Sequence, residues 1–218
     1  MDLINKNTVI VGASSGLGKA MANLLLSEKS KLILISRTDP QIPNTIFIQA
    51  DIRSYAEVKK AFEEIENLDL LINCAGIGLL KDLRDSTEEE INSVIDTDLK
   101  GAIWVSKEAY EKMAAKKSGY IINIVSTSGR KARPMETIYC AAKWGLRGFT
   151  ASLQLAGEET GVKVTGVYPG GMKSEHFWKI IPGKDISEYL EPGDVAKKII
   201  DMLKGEYQTE LLIERPKK

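Results

Sequence analysis

The sequence predicts a single α/β domain in which a doubly wound parallel sheet of about seven strands carries helices on both faces. Three observations lead to this fold class. Short β-branched runs alternate with longer stretches of helical period, the second run is apolar nearly throughout, and no repeat or low-complexity linker interrupts the alternation. The chain has 218 residues, 43% of them hydrophobic, and a chain of this length can bury a sizeable core without disulfides or a structural metal.

The elements follow one another in alternating order. Apolar, largely β-branched runs predict strands at 8–11, 31–35, 46–48, 70–72, 120–125, 162–167 and 210–213. Apolar residues that recur every three or four positions predict helices at 17–26, 58–65, 86 to about 116, 137–159 and 195–203. The third helix begins at an acidic run, which suits the positive end of the helix dipole.

Composition excludes several classes of protein. Thirty basic side chains balance thirty acidic ones, so bulk charge favours neither a nucleic acid nor a membrane as partner. The sequence has no apolar run of transmembrane length, and its first residues lack the pattern of a signal peptide, so we expect a cytoplasmic protein. Cys74 and Cys140 lie in apolar stretches and are expected to be reduced structural thiols. The single histidine, His176, excludes a multi-histidine metal site, and we expect no metal.

A glycine-rich loop joins the first predicted strand to the first helix. It contains Gly12, Ser14, Ser15, Gly16, Leu17 and Gly18. Glycines permit a tight turn and close approach of a pyrophosphate, which a helix N-terminus stabilises through its dipole and free N–H groups. The spacing G-x-x-x-G-x-G differs from G-x-G-x-x-G and lacks the lysine of a P-loop. A structural turn without a ligand is the alternative interpretation.

The residues after the second strand would lie beside the adenosine ribose of a dinucleotide. A carboxylate at this place favours NAD, whereas Ser36 and Arg37 suit the 2′-phosphate of NADP. Asp39 lies two residues further on and could still reach a ribose, so NAD remains possible. The alternative for Arg37 is a solvated surface charge.

Tyr139 and Lys143 are four residues apart on a predicted helix and therefore share a face. A tyrosine has a pKa of about 10, and a nearby ammonium group lowers that pKa toward the range in which the phenol exchanges a proton. Ser126 follows the fifth strand, at the same sheet edge as the glycine loop, and can orient a carbonyl or alcohol. By itself the Tyr-x-x-x-Lys spacing is also that of a plain surface pair.

Further segments complete a set of motifs. They are Asp51-Ile52, Asn73-Cys74-Ala75-Gly76, the interval of thirteen residues from Ser126 to Tyr139, and Pro169-Gly170-Gly171-Met172-Lys173-Ser174. With these in order, the chain resembles a short-chain dehydrogenase/reductase of the Rossmann type over nearly its whole length. Val11, Cys74 and Ser174 stand where that family usually has Thr, Asn and Thr.

The resemblance implies a role for each motif. Its cofactor contacts beyond the glycine loop and Arg37 are Asp51, Ile52, Asn73, Ala75, Gly76, Tyr139, Lys143, Pro169, Gly170, Met172 and Ser174. Tyr139 is then the general acid/base, Lys143 lowers its pKa and holds the nicotinamide ribose, and Ser126 orients the substrate oxygen. Asp98 stands where the family uses an Asn to support a proton-relay water, and an ionised carboxylate accepts hydrogen bonds but cannot donate one as an amide does.

The resulting expectation is one dinucleotide-binding catalytic domain, 1–218, with a substrate loop at about 169–192. We expect an NADP-dependent oxidoreductase that transfers a hydride between the nicotinamide and a small carbonyl or secondary alcohol, with reduction as the favoured direction. His176, Phe177 and Trp178 form either the aromatic wall of a substrate lid or a cluster that packs on the protein surface. The resemblance also implies a homodimer or homotetramer built through the two central helices. A catalytically weak NADP(H)-binding regulatory or scaffold protein is the alternative.

Overall fold

Seven strands form one parallel sheet in the computed structural model, which describes residues 1–174 and 185–215. The strands are β1 Asn7–Val11, β2 Lys31–Ser36, β3 Thr45–Gln49, β4 Leu70–Asn73, β5 Gly119–Ile124, β6 Val162–Pro169 and β7 Glu210–Ile213. Their order across the sheet is β3-β2-β1-β4-β5-β6-β7, and every neighbouring pair is parallel. The predicted fold class is confirmed.

Helices cover both faces of the sheet. The α-helices of the described residues are α1 Gly16–Ser27, α2 Tyr55–Glu63, α3 Glu88–Ile95, α4 Ala102–Ala115, α5 Thr137–Thr160 and α6 Pro192–Lys204. Thr87 caps α3 as expected from its sequence: its hydroxyl accepts a hydrogen bond from the Glu90 N–H, and the Glu90 carboxylate accepts one from the Thr87 N–H.

Alternate residues of the central strands point to opposite faces of the sheet, as the two-residue period of a strand requires. Ile10, Ile72 and Ile122 belong to the core under α1 and α6. Val9, Leu71 and Ile121 belong to the core under α2 and α4. Because both faces are buried, the strands read as continuous apolar runs rather than alternating ones.

The site is positioned by the topology of the sheet. From β1 the chain proceeds outward to β2 and β3, and then crosses back to β4 on the other side of β1. The connections that follow β1 and β4 therefore diverge at the carboxyl edge and leave a crevice, which is where ligands bind in sheets of this type.

The long third helix runs over 88–115, within the predicted 86 to about 116, but it is not α-helical throughout. Between α3 and α4 the residues Asp96–Gly101 form a π-helical turn with one extra residue. Within this turn the Asp98 carboxylate accepts a hydrogen bond of 2.7 Å from the backbone N–H of Ile77, outside the helix. Gly101 permits close packing of the turn on Ile52, since a Cβ at Gly101 would lie 2.8 Å from that side chain. Apolar residues that recur every three or four positions cannot reveal such a turn, because the apolar face of the helix continues on both sides of it.

Candidate active site

One large cavity lies at the carboxyl edge of the sheet, with a volume of about 990 Å³. That volume is at the upper end of the range for small-molecule and cofactor sites. Most of the site residues predicted from the sequence line it: Gly12, Ser14, Ser15, Gly16, Leu17, Gly18, Arg37, Asp51, Ile52, Ala75, Gly76, Ser126, Tyr139, Lys143, Pro169, Gly170, Met172 and Ser174. Residues from six strand ends and two helices thus surround one space.

The glycine loop forms a tight cradle at one end of the cavity. Gly12 has a φ of +82°, and a Cβ at this residue would lie 2.7 Å from the backbone N of Ala75, after β4. Gly16 also has a positive φ, +51°, where α1 begins. The first turn of α1 has no acidic side chain and no side-chain cap. The residues of this first turn line the cavity, and the N–H groups of a helix N-terminus suit a phosphate anion, so the residues fit a dinucleotide pyrophosphate.

Positively charged side chains mark the end of the cavity beside β2. Arg37 is exposed and lines the cavity together with Thr38 and Arg53. The Arg53 guanidinium donates two hydrogen bonds to Oδ2 of Asp51, at 2.9 and 2.5 Å, which lowers the pKa of that carboxyl. Asp39, the alternative ribose contact, instead accepts a hydrogen bond of 2.8 Å from the Gln41 N–H and does not line the cavity. This arrangement favours a negatively charged group near Arg37.

The candidate acid–base groups lie where β5 meets α5. Lys143 is buried; its Nζ donates a hydrogen bond of 3.2 Å to the carbonyl oxygen of Ile124 and lies 3.2 Å from Oδ2 of Asp98. Burial alone would lower the pKa of Lys143, but Asp98 and Tyr139 raise it, and the net shift is upward. Lys143 is therefore a cation at neutral pH.

Tyr139 lies one helical turn before Lys143, with Nζ of that lysine 5.6 Å from the centre of its ring. Burial raises the pKa of Tyr139, Lys143 lowers it, and the negative charge of Asp98 raises it again, so the net shift is upward. Its hydrogen bond with the Ser126 side chain works in the opposite direction. In this state of the site Tyr139 is a neutral phenol, a proton donor.

Ser126 has an unusual backbone conformation. Its φ is +110°, in a region that side-chain-bearing residues rarely adopt. Its hydroxyl accepts a hydrogen bond of 3.1 Å from the Ser128 N–H in the turn that follows. Strain of this kind occurs at functional sites when the surrounding structure fixes it, here the β5 edge and the turn Thr127–Gly129.

Two predicted residues are buried behind the cavity instead of lining it. Asn73 is buried, and its amide lies 3.5 Å from the side-chain oxygen of Asn123 on β5. Asp98 is fully buried and reaches the site through Lys143. The predicted His176, Phe177 and Trp178 lie outside the described residues, so the structure gives no account of them.

Several cavity residues were not predicted as site residues. Arg133 and Glu136 line the cavity 3.7 Å apart, and Ser128 donates a hydrogen bond of 2.6 Å to the Glu136 carboxylate. Arg215 covers the ring of Tyr189 at 4.8 Å. In the sequence, Arg130, Lys131 and Arg133 form a basic run shortly after Ser126. Within it, Arg133 lines the cavity, whereas Arg130 pairs with Glu210 at 3.0 Å.

The two cysteines are free thiols, as expected. Burial raises the pKa of Cys74 to about 12, so this residue is a protonated thiol although it lines the cavity. Residues 1–174 and 185–215 contain no group of three His, Cys, Asp or Glu side chains suited to a metal ion. Among those residues, no helix has both the length and the apolar character needed to cross a membrane.

The strand order and the glycine loop after β1 define a Rossmann-type fold built for dinucleotides. A family model described as short chain dehydrogenase matches residues 6–185. An uncharacterised oxidoreductase of Staphylococcus aureus strain MRSA252 is 32% identical over 211 residues, which cover 91% of this chain and 90% of that protein. Carbonyl reductase family member 4 of Xenopus laevis is 31% identical over 225 residues, 94% of each chain. The chain belongs to the short-chain dehydrogenase/reductase family of oxidoreductases.

Solved structures agree with this assignment. ElxO with NADP bound is 27% identical and superimposes with a TM-score of 0.85, covering 97% of this chain and 98% of that one. The superposition covers nearly the whole chain, so the similarity is not confined to one motif.

Proposed function

We propose that the protein is an NADP-dependent oxidoreductase that interconverts a carbonyl group and a secondary alcohol, with carbonyl reduction as its main direction. The observation that carries the proposal is the convergence of Ser126, Tyr139 and Lys143 on the cavity that the glycine loop also lines. Carbonyl reduction needs a proton donor and a group that orients the carbonyl oxygen, next to a cofactor that supplies hydride. The phenol and the hydroxyl can fill these two roles, and the buried ammonium can stabilise the phenolate. The name of the Xenopus relative, a carbonyl reductase, supports the same substrate class.

Tyr139 acts as the general acid in reduction. Its phenol donates a proton to the substrate oxygen as that oxygen gains negative charge, and in the reverse direction the phenolate removes the proton from the alcohol. Lys143 is a cation 5.6 Å from the ring centre and stabilises the phenolate that forms when the proton leaves.

Ser126 orients the substrate oxygen toward Tyr139. Its hydroxyl accepts a hydrogen bond of 3.1 Å from the Ser128 N–H, which restricts its direction, and it lies close enough to Tyr139 to lower the pKa of that phenol. A fixed hydroxyl donor next to the acid holds a carbonyl oxygen in a reactive position at little entropic cost.

The cofactor of the proposal is NADP, with NAD as the weaker alternative. When bound, NADPH supplies the hydride that a carbonyl carbon accepts. The pyrophosphate would be held by Gly12, Gly16 and the first turn of α1. The 2′-phosphate would be held by Arg37. The nicotinamide ribose would be held by Tyr139 and Lys143. The NADP bound to the similar ElxO structure supports this choice.

Residues 169–192 form the substrate loop of the single 1–218 domain in this proposal. The ends of the loop lie side by side: Met172 pairs with Leu190, and the Lys173 N–H donates a hydrogen bond of 2.9 Å to the Leu190 carbonyl. Residues 175–184, between these ends, lie outside the described part. A loop of this length leaves few residues to shape a substrate pocket, which favours a small substrate.

The proposal includes a homodimer or homotetramer built through α4 and α5. Trp144 on α5 is 47% exposed and Leu155 on the same helix is 68% exposed, which favours burial of this face by a second copy. The free thiols suit a reducing compartment, and we place the enzyme in the cytoplasm.

The test is consumption of NADPH and NADH, followed by absorbance, across a panel of aldehydes, ketones and quinones. Wild type should reduce at least one carbonyl with NADPH, and Tyr139→Phe should lose that activity by about 100-fold or more, as expected on loss of a general acid. Tyr110→Phe is the matched control, since its phenol donates to the Ala156 carbonyl at 2.8 Å and does not line the cavity.

Each outcome separates the alternatives. Full activity of Tyr139→Phe would remove the proposed acid. Tight NADPH binding, measured by fluorescence titration, without turnover of any carbonyl would favour the binding protein over the enzyme.

A further inference from the structure

The cation of the active site is one member of a buried ion pair. Nζ of Lys143 lies 3.2 Å from Oδ2 of Asp98, and the two side chains are 4% and 0% exposed. The other carboxylate oxygen of Asp98, Oδ1, accepts a hydrogen bond of 2.7 Å from the Ile77 N–H. Lys143 and Asp98 together carry no net charge. Tyr139 therefore faces a neutral pair instead of an isolated ammonium group.

The other groups that face Tyr139 and Lys143 do not restore a positive charge. From β5 and the turn after it come the Ile124 carbonyl and the Ser126 hydroxyl. From the loop after β4 comes Cys74, whose thiol is protonated at neutral pH because burial raises its pKa to about 12. From the turn Pro134–Glu136 the Glu136 carboxylate adds negative potential at Tyr139. Its partner Arg133, at 3.7 Å, offsets part of that potential.

The fold makes room for a carboxylate at this place. Gly76 has no Cβ, and one built there would lie 3.1 Å from Oδ2 of Asp98 and 3.4 Å from Nζ of Lys143. The π-helical turn Asp96–Gly101 brings Asp98 to this contact. An asparagine in the same position would be isosteric and could still accept the Ile77 N–H through its oxygen, but it would leave the charge of Lys143 uncompensated.

We propose that Asp98 is a positioning residue that neutralises Lys143 and thereby keeps Tyr139 a phenol, which biases the active site toward donating a proton to a carbonyl. The catalytic consequence depends on the proposed oxidoreductase function. The charge relationship itself does not, because the ionisation of Tyr139 can be measured without turnover.

The first test follows the titration of Tyr139 by NMR of protein labelled with ¹³C at tyrosine Cζ. The chain has seven tyrosines, and Tyr139→Phe identifies the resonance to be followed. In wild type this resonance should titrate at or above the ordinary tyrosine value of about 10. In Asp98→Asn it should titrate lower by about one pH unit or more, because the unpaired Lys143 cation then stabilises the phenolate.

The matched control is Asp96→Asn. Asp96 lies in the same turn and pairs with Lys100 at 2.7 Å, but its side chain is 33% exposed and does not face the site. This variant should leave the Tyr139 titration unchanged. A Tyr139 titration in wild type below about pH 9 overturns the proposal even if Asp98→Asn does not fold, and so does an Asp98→Asn titration that is unchanged or higher.

The second test measures kcat against pH in both directions with a carbonyl and its alcohol. Asp98→Asn should move the rise of alcohol oxidation, and the decline of carbonyl reduction, to lower pH by the same amount as the NMR shift. Coincident wild-type and variant profiles would show that Asp98 only supports the fold. The NMR shift without any turnover in wild type would retain the charge relationship and refute the proposed function.

Discussion

Asp98 and Lys143 meet through a contact of 3.2 Å between Oδ2 and Nζ, although they lie 45 residues apart along the chain. The Ile77 N–H and the Ile124 carbonyl supply one further hydrogen bond to each member of the pair. Removing two charges from water is costly, and each charge is tolerable here only because the other is present. Under the proposed function, catalysis and stability therefore depend on the same two residues.

We expect Lys143→Met to lower the free energy of unfolding by about 3–5 kcal/mol at neutral pH, because Asp98 loses its counter-ion in a dry environment. The double variant Lys143→Met/Asp98→Asn removes the uncompensated charge and should recover part of this loss. Urea denaturation followed by circular dichroism measures the free energy of unfolding of Lys143→Met, Asp98→Asn and the double variant. Lys100→Met is the control; its exposed pair with Asp96 should contribute less than about 1 kcal/mol. Simple additivity of the two single losses would contradict the coupling.

Gly12 should not tolerate a side chain. Its φ of +82° and the distance of 2.7 Å from a built Cβ to the Ala75 backbone N predict that Gly12→Ala lowers the free energy of unfolding by about 2–4 kcal/mol. The backbone of Ala75 belongs to the sheet edge and cannot move away cheaply. NADPH binding should also weaken, since the cradle must open to accept the methyl group.

Gly193→Ala provides the matched comparison in thermal and urea denaturation. Gly193 lies in the first turn of α6, and a Cβ there meets no heavy atom within 4 Å. This change should stabilise the protein by about 0.5 kcal/mol through the lower entropy of the unfolded chain. Equal losses for the two variants would mean that the close approach of Gly12 to Ala75 does not limit the loop.

The sheet and the order of its elements could be predicted from the sequence because the physical signal is local. Each central strand is buried on both faces, so a run such as 32–35 is apolar without interruption. The acidic start of α3 was equally visible, since Thr87 and Glu90 form a capping box within four residues. Apolar runs and capping boxes span only a few residues, so they can be recognised from neighbouring positions in the sequence.

The parts that escaped prediction depend on contacts distant in sequence. The π-helical turn at Asp96–Gly101 interrupts a helix whose apolar period continues across it. The φ of +110° at Ser126 is imposed by the β5 edge and the following turn. The sequence gives no sign of it, because the residue is not a glycine. Arg133 and Glu136 are ordinary charged residues in the sequence, and only the fold brings them to the cavity. Tertiary packing, and not local propensity, decides these features.

Asp69 should make stability depend on pH near the acid range. Its carboxylate accepts hydrogen bonds from Lys116 Nζ at 2.7 Å and from the Asn7 N–H at 3.0 Å, which joins the end of α4 to the start of β1. Burial raises the pKa of Asp69, but the two hydrogen bonds lower it by more than burial raises it, so the net shift is downward. A carboxyl with a lowered pKa in the folded state stabilises the fold above its ordinary pKa, and this contribution disappears as the pH falls through the folded value.

Asp69→Asn should therefore cost about 1 kcal/mol at pH 7, a small value because Lys116 is a third exposed and solvent screens the pair. The difference from wild type should shrink as the pH falls below about 4, where Asp69 first takes up a proton in the unfolded chain and, at still lower pH, in the folded protein. Urea denaturation at several pH values measures it. Asp201→Asn, which breaks an exposed pair with Lys197, should change stability by less than about 0.5 kcal/mol at every pH. A deficit that grows toward acid pH would contradict the sign.

Arg37 should select between the two cofactors. Its guanidinium lines the cavity after β2, and the only nearby carboxylate on the same loop, Asp39, is engaged with the Gln41 N–H. Loss of a charge-assisted hydrogen bond costs about 1.5–3 kcal/mol, so Arg37→Ala should weaken NADPH binding by roughly 10- to 100-fold and leave NADH binding unchanged. Fluorescence titration measures both constants, and Arg84→Ala, a variant of an exposed arginine paired with Asp82, should change neither. If wild type binds NADPH and NADH equally, the guanidinium does not read the 2′-phosphate, and the basis for the NADP assignment is lost.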